Sequence, residues 1–531
     1  MTKNILIGGA WPYANNSLHL GHLAGLISGD ILARYYRLKG DNVCYVSGTD
    51  CHGTPITERA RKEKKTPREI SSHYDEEFRE TFKRMGFSYD LYTKTDSEYH
   101  EEQVKKFFRR LYDNGYVYEK IEPQAYCQTC QKFLSDREIK IICPECGLET
   151  KADQCDGCGH VPTVEEQKAG VCLECGTKAI QKDNKNLYFA LSKFQKEIEE
   201  HTAKCDFAWR VNARNETNKY LRQGLPDRAV TRDLTWGVDI PVLGYEDKKM
   251  YVWIEAVLGY VTACKKWCEE NGKDWEQFWK EGNNNKIYMC HGKDNITFHS
   301  IIFNALLLAA KDNYHLVDVI VSTEYLNIND EKISKSKGNG ITALEMLETY
   351  NPDSLRFHII NNGPEKKDTN FTIEGFETTH NNEILNKFGN LVNRTLRFKG
   401  LEAVPEGQMN PEVAKEVENT YRIVGDAIER LEFKEASDKV MNLVEYANKY
   451  YDEQEPWKQK KEDIEGFNNT IYTCTNIIAN LSNLFEPFMP FACEKIRKYL
   501  DIPQKSWNMV EVEKGLALEN IEPLFNRIEK K

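Results

Sequence analysis

Nowhere does the sequence offer the run of about 18 to 20 uninterrupted apolar residues that a membrane span needs. Its first residues, Met1-Thr2-Lys3-Asn4, lead straight into the strand-like Ile5-Leu6-Ile7, with no room for a cleavable leader. A secreted or membrane-embedded protein is therefore not expected. Basic charge is also in deficit: 83 acidic against 72 basic residues leave a net −11. That balance weakens a nucleic-acid partner without excluding one, because phosphate affinity comes from local basic clusters that a whole-chain sum hides. Low-complexity tracts are absent, and so are internal repeats apart from the cysteine pairs described next. At 531 residues, 40% apolar and 29% charged, the chain exceeds one core and calls for three or four globular domains. Cysteine is not scarce. Sixteen cysteines without a secretion leader imply a reducing compartment, the cytoplasm, where paired cysteines hold metal more often than they form disulfides.

Four Cys-x-x-Cys pairs crowd one segment: Cys127/Cys130, Cys143/Cys146, Cys155/Cys158 and Cys172/Cys175. A two-residue gap lets both thiolates face one side of a tight turn, and two such turns complete a closed tetrahedral zinc site with no open position for catalysis. Gly147, Gly159 and Gly176 just after three of the pairs suit backbone approach to sulfur. Spacing does not decide the pairing, which is either sequential or nested.

Around this segment the first half alternates strand and helix. Ile5 to Gly9 reads as a buried strand, residues 23–38 as a helix and Val43 to Val46 as a strand. A later helix carries Val104, Phe107, Phe108 and Leu111, with Thr95 and Glu98 as its capping box and Asn114-Gly115 as its stop. Strands resume at Ile287 to Cys290 and Leu316 to Val321. This rhythm predicts an α/β fold, a parallel Rossmann-like sheet with helices on both faces. The sheet domain occupies 1–115 and 229–324, split by the cysteine-rich insertion 116–228. A linking domain follows over 325–380, then an all-α bundle over 381–531. The last stretch has no assignable pattern.

Two separated motifs suggest an anionic ligand. In Trp11-Pro12-Tyr13-Ala14-Asn15-Asn16-Ser17-Leu18-His19-Leu20-Gly21-His22, Asn16 or Ser17 is expected to cap the next helix. Both histidines then sit on its first turn, where free amides and the helix dipole favour phosphate. A His-x-x-His pair also suits a metal. Lys332-Ile333-Ser334-Lys335-Ser336-Lys337-Gly338-Asn339 reads alone as a solvated turn, but beside a phosphate-holding helix it can supply charge neutralisation. Three more clusters sit where strands end: Gly48 to Pro55, His291-Gly292-Lys293-Asp294 with Phe298-His299, and Tyr251-Val252-Trp253-Ile254-Glu255-Ala256 with Tyr260. Singly, each has an ordinary reading as turn or core.

In combination these residues resemble the class I aminoacyl-tRNA synthetases, specifically the methionyl branch, over nearly the whole chain. His19-Leu20-Gly21-His22 is similar to the family's first signature. Lys332 to Ser336 is similar to its second, with Ile333 where methionine is common. The knuckle insertion, Tyr251-Val252-Trp253, and Asn386, Asn390 and Arg394 with Pro456-Trp457 fit the same branch. Glu255 stands where the family has aspartate, Val257 where proline is common, and Asn295 where an apolar residue is usual.

The resemblance implies ATP-dependent attachment of methionine to tRNA through methionyl-adenylate. His19, His22, Lys332 and Lys335 would be catalytic, with Gly21, Gly292, Lys293 and Asp294 at the ATP and its Mg²⁺. Asp50 would take the methionine ammonium. Ala10, Trp11, Tyr13, Trp253, Ala256, Val257, Tyr260 and His299 would enclose the side chain, a thioether gaining from aromatic walls. Asn386, Asn390, Arg394 and Trp457 would read a CAU anticodon by stacking and hydrogen bonding. The family also implies nested zinc sites, Cys127/Cys130/Cys172/Cys175 and Cys143/Cys146/Cys155/Cys158, and, without an appended tRNA-binding domain, a monomer. Synthetases for leucine, isoleucine or valine need an editing insertion too large for this length, and the cysteine enzyme needs zinc in its pocket. A non-catalytic tRNA-binding protein would have lost His19, His22 and Lys335. A nucleotidyltransferase would not explain the bundle or knuckles.

Overall fold

The computed structural model describes residues 2–134, 138–152, 155, 158, 160, 163, 166, 170–328 and 342–529. In chain order the elements that position the site are β1 (Asn4–Gly9), α1 (Leu20–Leu38), β2 (Asn42–Thr49), α2 (Pro67–Met85), β3 (Leu91–Lys94), α3 (Glu98–Asp113), β4 (Val117–Cys127), β5 (Ile180–Phe189), α4 (Val252–Glu270), β6 (Asn285–Gly292), β7 (Val319–Thr323) and α5 (Pro352–Asn362). The bundle contributes α6 (Pro411–Glu429), α7 (Phe433–Gln454), α8 (Pro456–Glu462), α9 (Ile464–Leu484) and α10 (Pro490–Tyr499).

Five parallel strands form the sheet in the order β7-β6-β1-β2-β3. β1 is central because Ile5, Leu6 and Ile7 are apolar without alternation, and all are fully buried. The chain leaves β1 toward β2 on one side and returns as β6 on the other. The order therefore reverses at β1, and the crevice beyond the carboxyl ends of β1 and β6 is where such sheets bind ligands. The motifs that follow β1 and end β6 both open there.

Two helix starts differ from the sequence reading. α1 is capped by His19 itself, not by Asn16 or Ser17. α3 is capped by Ser97, which accepts from the His100 amide, because Thr95 Oγ1 is already committed to the Cys51 amide at 2.9 Å. β7, the last strand of this sheet, begins at Val319, later than Leu316.

β4 and β5 pair antiparallel from Val117↔Phe189 to Tyr126↔Ile180, the long central pair of a four-stranded stalk that carries the cysteine segment at its tip. Beyond the sheet, Leu326–Ile328 pairs with Thr369–Phe371, and α5 leads toward the bundle. The C-terminal tail, which gave no pattern, has no helix among its described residues but is not idle. Leu524 and Phe525 are buried, Asn526 O accepts from His380 Nε2 at 2.7 Å, and Trp507 packs on Tyr35 of α1. No described helix is long and apolar enough to cross a membrane.

Candidate active site

The turn after β1 fixes two imidazoles against the helix end. His19 Nδ1 accepts from the Gly21 amide at 3.1 Å, and His22 Nδ1 accepts from the His19 amide at 3.1 Å. Both Nδ1 atoms are acceptors, so each neutral ring carries its proton on Nε2 as a donor. The rings lie 3.7 Å apart at the amino end of α1, adding donors to a positive dipole end. Lys332 and Lys335 lie outside the described residues. The chain on either side of them, however, reaches this turn. Leu326 lines the same cavity, while Thr342 bridges to His19 and the Ala343 amide donates to Leu18 O at 2.8 Å.

A cavity of about 760 Å³ joins this turn to the ends of β1, β2 and β6. His19, Gly21, His22, Gly292 and Asp294 line it together with Ala10, Trp11, Tyr13, Asp50, Trp253, Ala256, Val257, Tyr260 and His299. Lys293 does not. Its ammonium is paired with Glu324 at 2.6 Å and Asp368 at 2.9 Å, and the residue borders a smaller neighbouring cavity. Asp294 accepts from the Tyr325 hydroxyl.

One end of the cavity is aromatic. The Trp11 indole lies in a slot between two glycines. A Cβ on Gly48 would meet Trp11 Cζ3 at 2.3 Å, and one on Gly259 would meet Cζ2 at 2.5 Å. Trp253 Nε1 donates to the Tyr13 hydroxyl, and Phe298 stands edge-on to Trp253. Tyr260 OH donates to His299 Nε2 at 2.8 Å, while His299 Nδ1 donates to Asn295 O at 2.8 Å. Burial pushes His299 down to about 4, so it stays neutral. It sits on a π-helical turn, Phe298–Ile302. His291 was placed by the sequence in a strand-end cluster but given no role. It lines the cavity, stacks on His299 at 4.3 Å, and keeps a buried Nε2 with no protein partner.

The other polar anchor is Asp50, which is buried and accepts from the His52 amide at 3.2 Å. Burial, and then the nearby Glu255 carboxylate, hold its carboxyl well above the usual range. A cation in the cavity would favour its ionised form.

The cysteines fall into two nested groups, Cys127/Cys130/Cys172/Cys175 and Cys143/Cys146/Cys155/Cys158. Sulfur separations are 3.4 Å for Cys127–Cys175 and 3.9 Å for Cys130–Cys172, with 3.6 Å for Cys143–Cys158 and 3.5 Å for Cys146–Cys155. Four thiolates at zinc bonding distance stand about 3.8 Å apart, so both groups fit a tetrahedral zinc ion. Gly147 and Gly176 adopt φ of 72° and 71°, which lets the chain turn back over each sulfur pair.

Residues 5–396 match the model of the class I tRNA synthetases (M), and residues 402–531 match the anticodon binding domain of methionyl tRNA ligase. A methionine–tRNA ligase of Bacillus mycoides (strain KBAB4) is 48% identical over 99% of this chain and 97% of its own length. One from Bacillus cereus (strain G9842) is 47% identical over the same shares. The chain belongs to the class I methionyl-tRNA synthetase family. Its fold is also similar to that of Mycobacterium tuberculosis methionyl-tRNA synthetase in complex with methionyl-adenylate, with a TM-score of 0.82 at 23% identity over 99% of this chain and 100% of that one.

In this synthetase chain the bundle brings together part of the expected reading face. Asn390 and Arg394 lie one turn apart on the helix Asn390–Leu396, whereas Asn386 belongs to the preceding π-helical run His380–Gly389 and accepts from Arg527 of the tail at 3.2 Å. Tyr451, which sequence reasoning did not single out, joins the rest. The Arg394 guanidinium lies 4.1 Å over its ring, and the half-exposed Trp457 stands 6.2 Å away. Asp452 and Asn448 O, each at 2.7 Å, hold the guanidinium in place.

Proposed function

We propose that this chain attaches methionine to its tRNA in two steps within the cavity at the ends of β1 and β6. In the first, a methionine carboxylate oxygen attacks the α-phosphorus of ATP, supplied as its Mg²⁺ complex. A P–O bond breaks, leaving methionyl-adenylate and pyrophosphate. In the second, a hydroxyl of the tRNA 3′-terminal ribose attacks the adenylate carbonyl and AMP departs. Such displacements depend on positioning and charge more than on a general base.

His19 and His22 donate from Nε2 to phosphate oxygens, and Lys332 and Lys335 neutralise the departing pyrophosphate. Gly292 and Asp294 flank the nucleoside, and Lys293 stands just outside the cavity, held by Glu324 and Asp368. Asp50 takes the ammonium. Trp11, Tyr13, Trp253, Tyr260 and His299, with Ala10, Ala256 and Val257, enclose the thioether. Asn386, Asn390, Arg394 and Trp457 read the CAU anticodon. Zinc at each cysteine group holds the insertion in shape, the chain acts as a monomer, and the cytoplasm is its compartment.

The observation that carries this reading is the single cavity that holds both imidazoles, Asp50 and the aromatic wall, with the chain on each side of the lysine segment arriving at its rim. Exchange of labelled pyrophosphate into ATP, run with each amino acid in turn, tests it. Exchange with methionine alone is expected; exchange with another amino acid, or none, overturns the assignment.

A further inference from the structure

Behind the cavity lies a polar cluster that the two-step chemistry does not use. Glu255, on the first turn of α4, is fully buried. Its Oε1 lies 2.7 Å from His52 Nδ1 and its Oε2 lies 2.9 Å from His100 Nε2. His100, on α3, reaches Thr262 Oγ1 with its other nitrogen at 2.9 Å. None of the three lines the cavity, yet both histidines reach a residue that does. The His52 amide donates to Asp50, and the His100 ring stands 6.1 Å from the Trp11 indole. The segment between them is pinned independently, Cys51 donating to Thr95 and accepting from Trp236.

A buried carboxylate is costly unless fully paired. Here both oxygens are spent on two histidines from distant parts of the chain, and those histidines abut the ammonium ligand and the pocket wall. We propose that Glu255 is a positioning residue for the amino-acid end of the site, fixing the Asp50–His52 turn and the Trp11 indole so that the cavity accepts an α-ammonium group. This rests on the reading of Asp50 as the ammonium's partner.

The charges are consistent with the geometry. Glu255 is drawn down by the two histidines against its burial, and it raises both His52 and Asp50. Facing this cluster from the other packed elements are Tyr13, Tyr251, Cys51, Asp96 and Glu101. Ammonium binding needs the Asp50 carboxylate and is lost as pH falls through its raised pKa. Removing the Glu255 charge lowers that pKa, so the acid limb should move to lower pH.

Glu255→Gln keeps the shape but removes the charge and turns one acceptor into a donor, which an imidazole can meet only by moving its proton to the other nitrogen. KM for methionine in pyrophosphate exchange should rise roughly tenfold, the scale of one lost charge-assisted hydrogen bond. kcat and KM for ATP should stay within about twofold, and the acid limb of kcat/KM for methionine should shift to lower pH. Thr262→Val, which removes the far-side partner of His100 together with the hydroxyl's bond to Gly259 O, should raise KM for methionine less and leave the acid limb in place. A parental KM and an unmoved limb in Glu255→Gln would overturn the inference. If that variant does not fold, a parental KM in Thr262→Val overturns it instead. Asp50→Asn separates the two claims. If it binds methionine as the parent does, the reading of Asp50 fails; if it loses methionine while Glu255→Gln behaves as the parent, only the positioning role fails.

Discussion

Trp11 owes its place to two absences of a side chain. Glycines at 48 and 259 leave the slot, and the slot sets how far the indole projects into the cavity. Alanine at 259 would improve helix propensity in α4 by up to about 1 kcal/mol. Its Cβ would nevertheless fall 2.5 Å from Cζ2, and the opposite wall at Gly48 gives no room for retreat. Overpacking of this kind costs about 1–3 kcal/mol and dominates. Gly259→Ala should therefore raise KM for methionine about tenfold, and a parental KM would mean the slot does not control the pocket. A second residue-scale expectation concerns His358, held between Phe371 and Phe376 and pushed by burial down to about 4. Its folded pKa lies below the unfolded value, so the unfolded chain takes the proton first as pH falls. The stabilisation is complete above pH 6.5 and is lost toward pH 4, by roughly 2 kcal/mol between pH 6.5 and 5. Urea unfolding of the parent and His358→Gln at both pH values should give a smaller acid loss in the variant. Equal losses would place the titrating group elsewhere.

At the scale of elements, legibility followed the range of the interaction. The central strand and the histidine turn were readable because a continuous apolar run and a local motif carry their own information. The cap of α1 was misassigned because His19 does the capping itself, an unusual use of imidazole that the cap preferences of Asn16 and Ser17 concealed. Tyr451 was not picked out, and Glu255 was placed in a strand-end cluster without a role of its own, because each matters through partners more than fifty residues away. The nested cysteine pairing could not be read from spacing, since it depends on the stalk that brings Tyr126 beside Ile180. The geometry predicts a metal count. Cys127→Ser with Cys172→Ser removes two ligands of one group under nesting and should cost one zinc of two. Under sequential pairing the same double variant would cost both. In the bundle, Trp457→Ala should slow tRNA charging while leaving methionine-dependent exchange intact. Equal loss in both assays would make the tryptophan structural.

The whole molecule is joined by a few buried polar contacts, of which Arg356 is the most committed. Its side chain is fully buried on α5, donating to Asp30 of α1 at 2.6 Å, to Met85 O at the end of α2, and to Pro487 O and Phe488 O just before α10. One guanidinium thus ties the helix that carries His22 to the bundle that carries Trp457. Arg34 and Arg356 hold the Asp30 carboxyl far below the usual range against its burial. Its stabilising share is present above the unfolded carboxylate pKa and lost only in strong acid. Arg356→Met would leave three carbonyls without their donor, and removing one partner of such a buried pair costs about 3–5 kcal/mol. Arg34, at 2.9 Å from Asp30, limits the damage to the carboxylate itself, so the catalytic domain should survive. The loss should fall on the relation between cavity and bundle. Below the unfolding transition, methionine-dependent exchange should stay near the parental rate while tRNA charging drops severalfold, because the acceptor end and the anticodon must be engaged by surfaces held at a fixed span. A parallel drop in both rates would assign Arg356 to global stability alone.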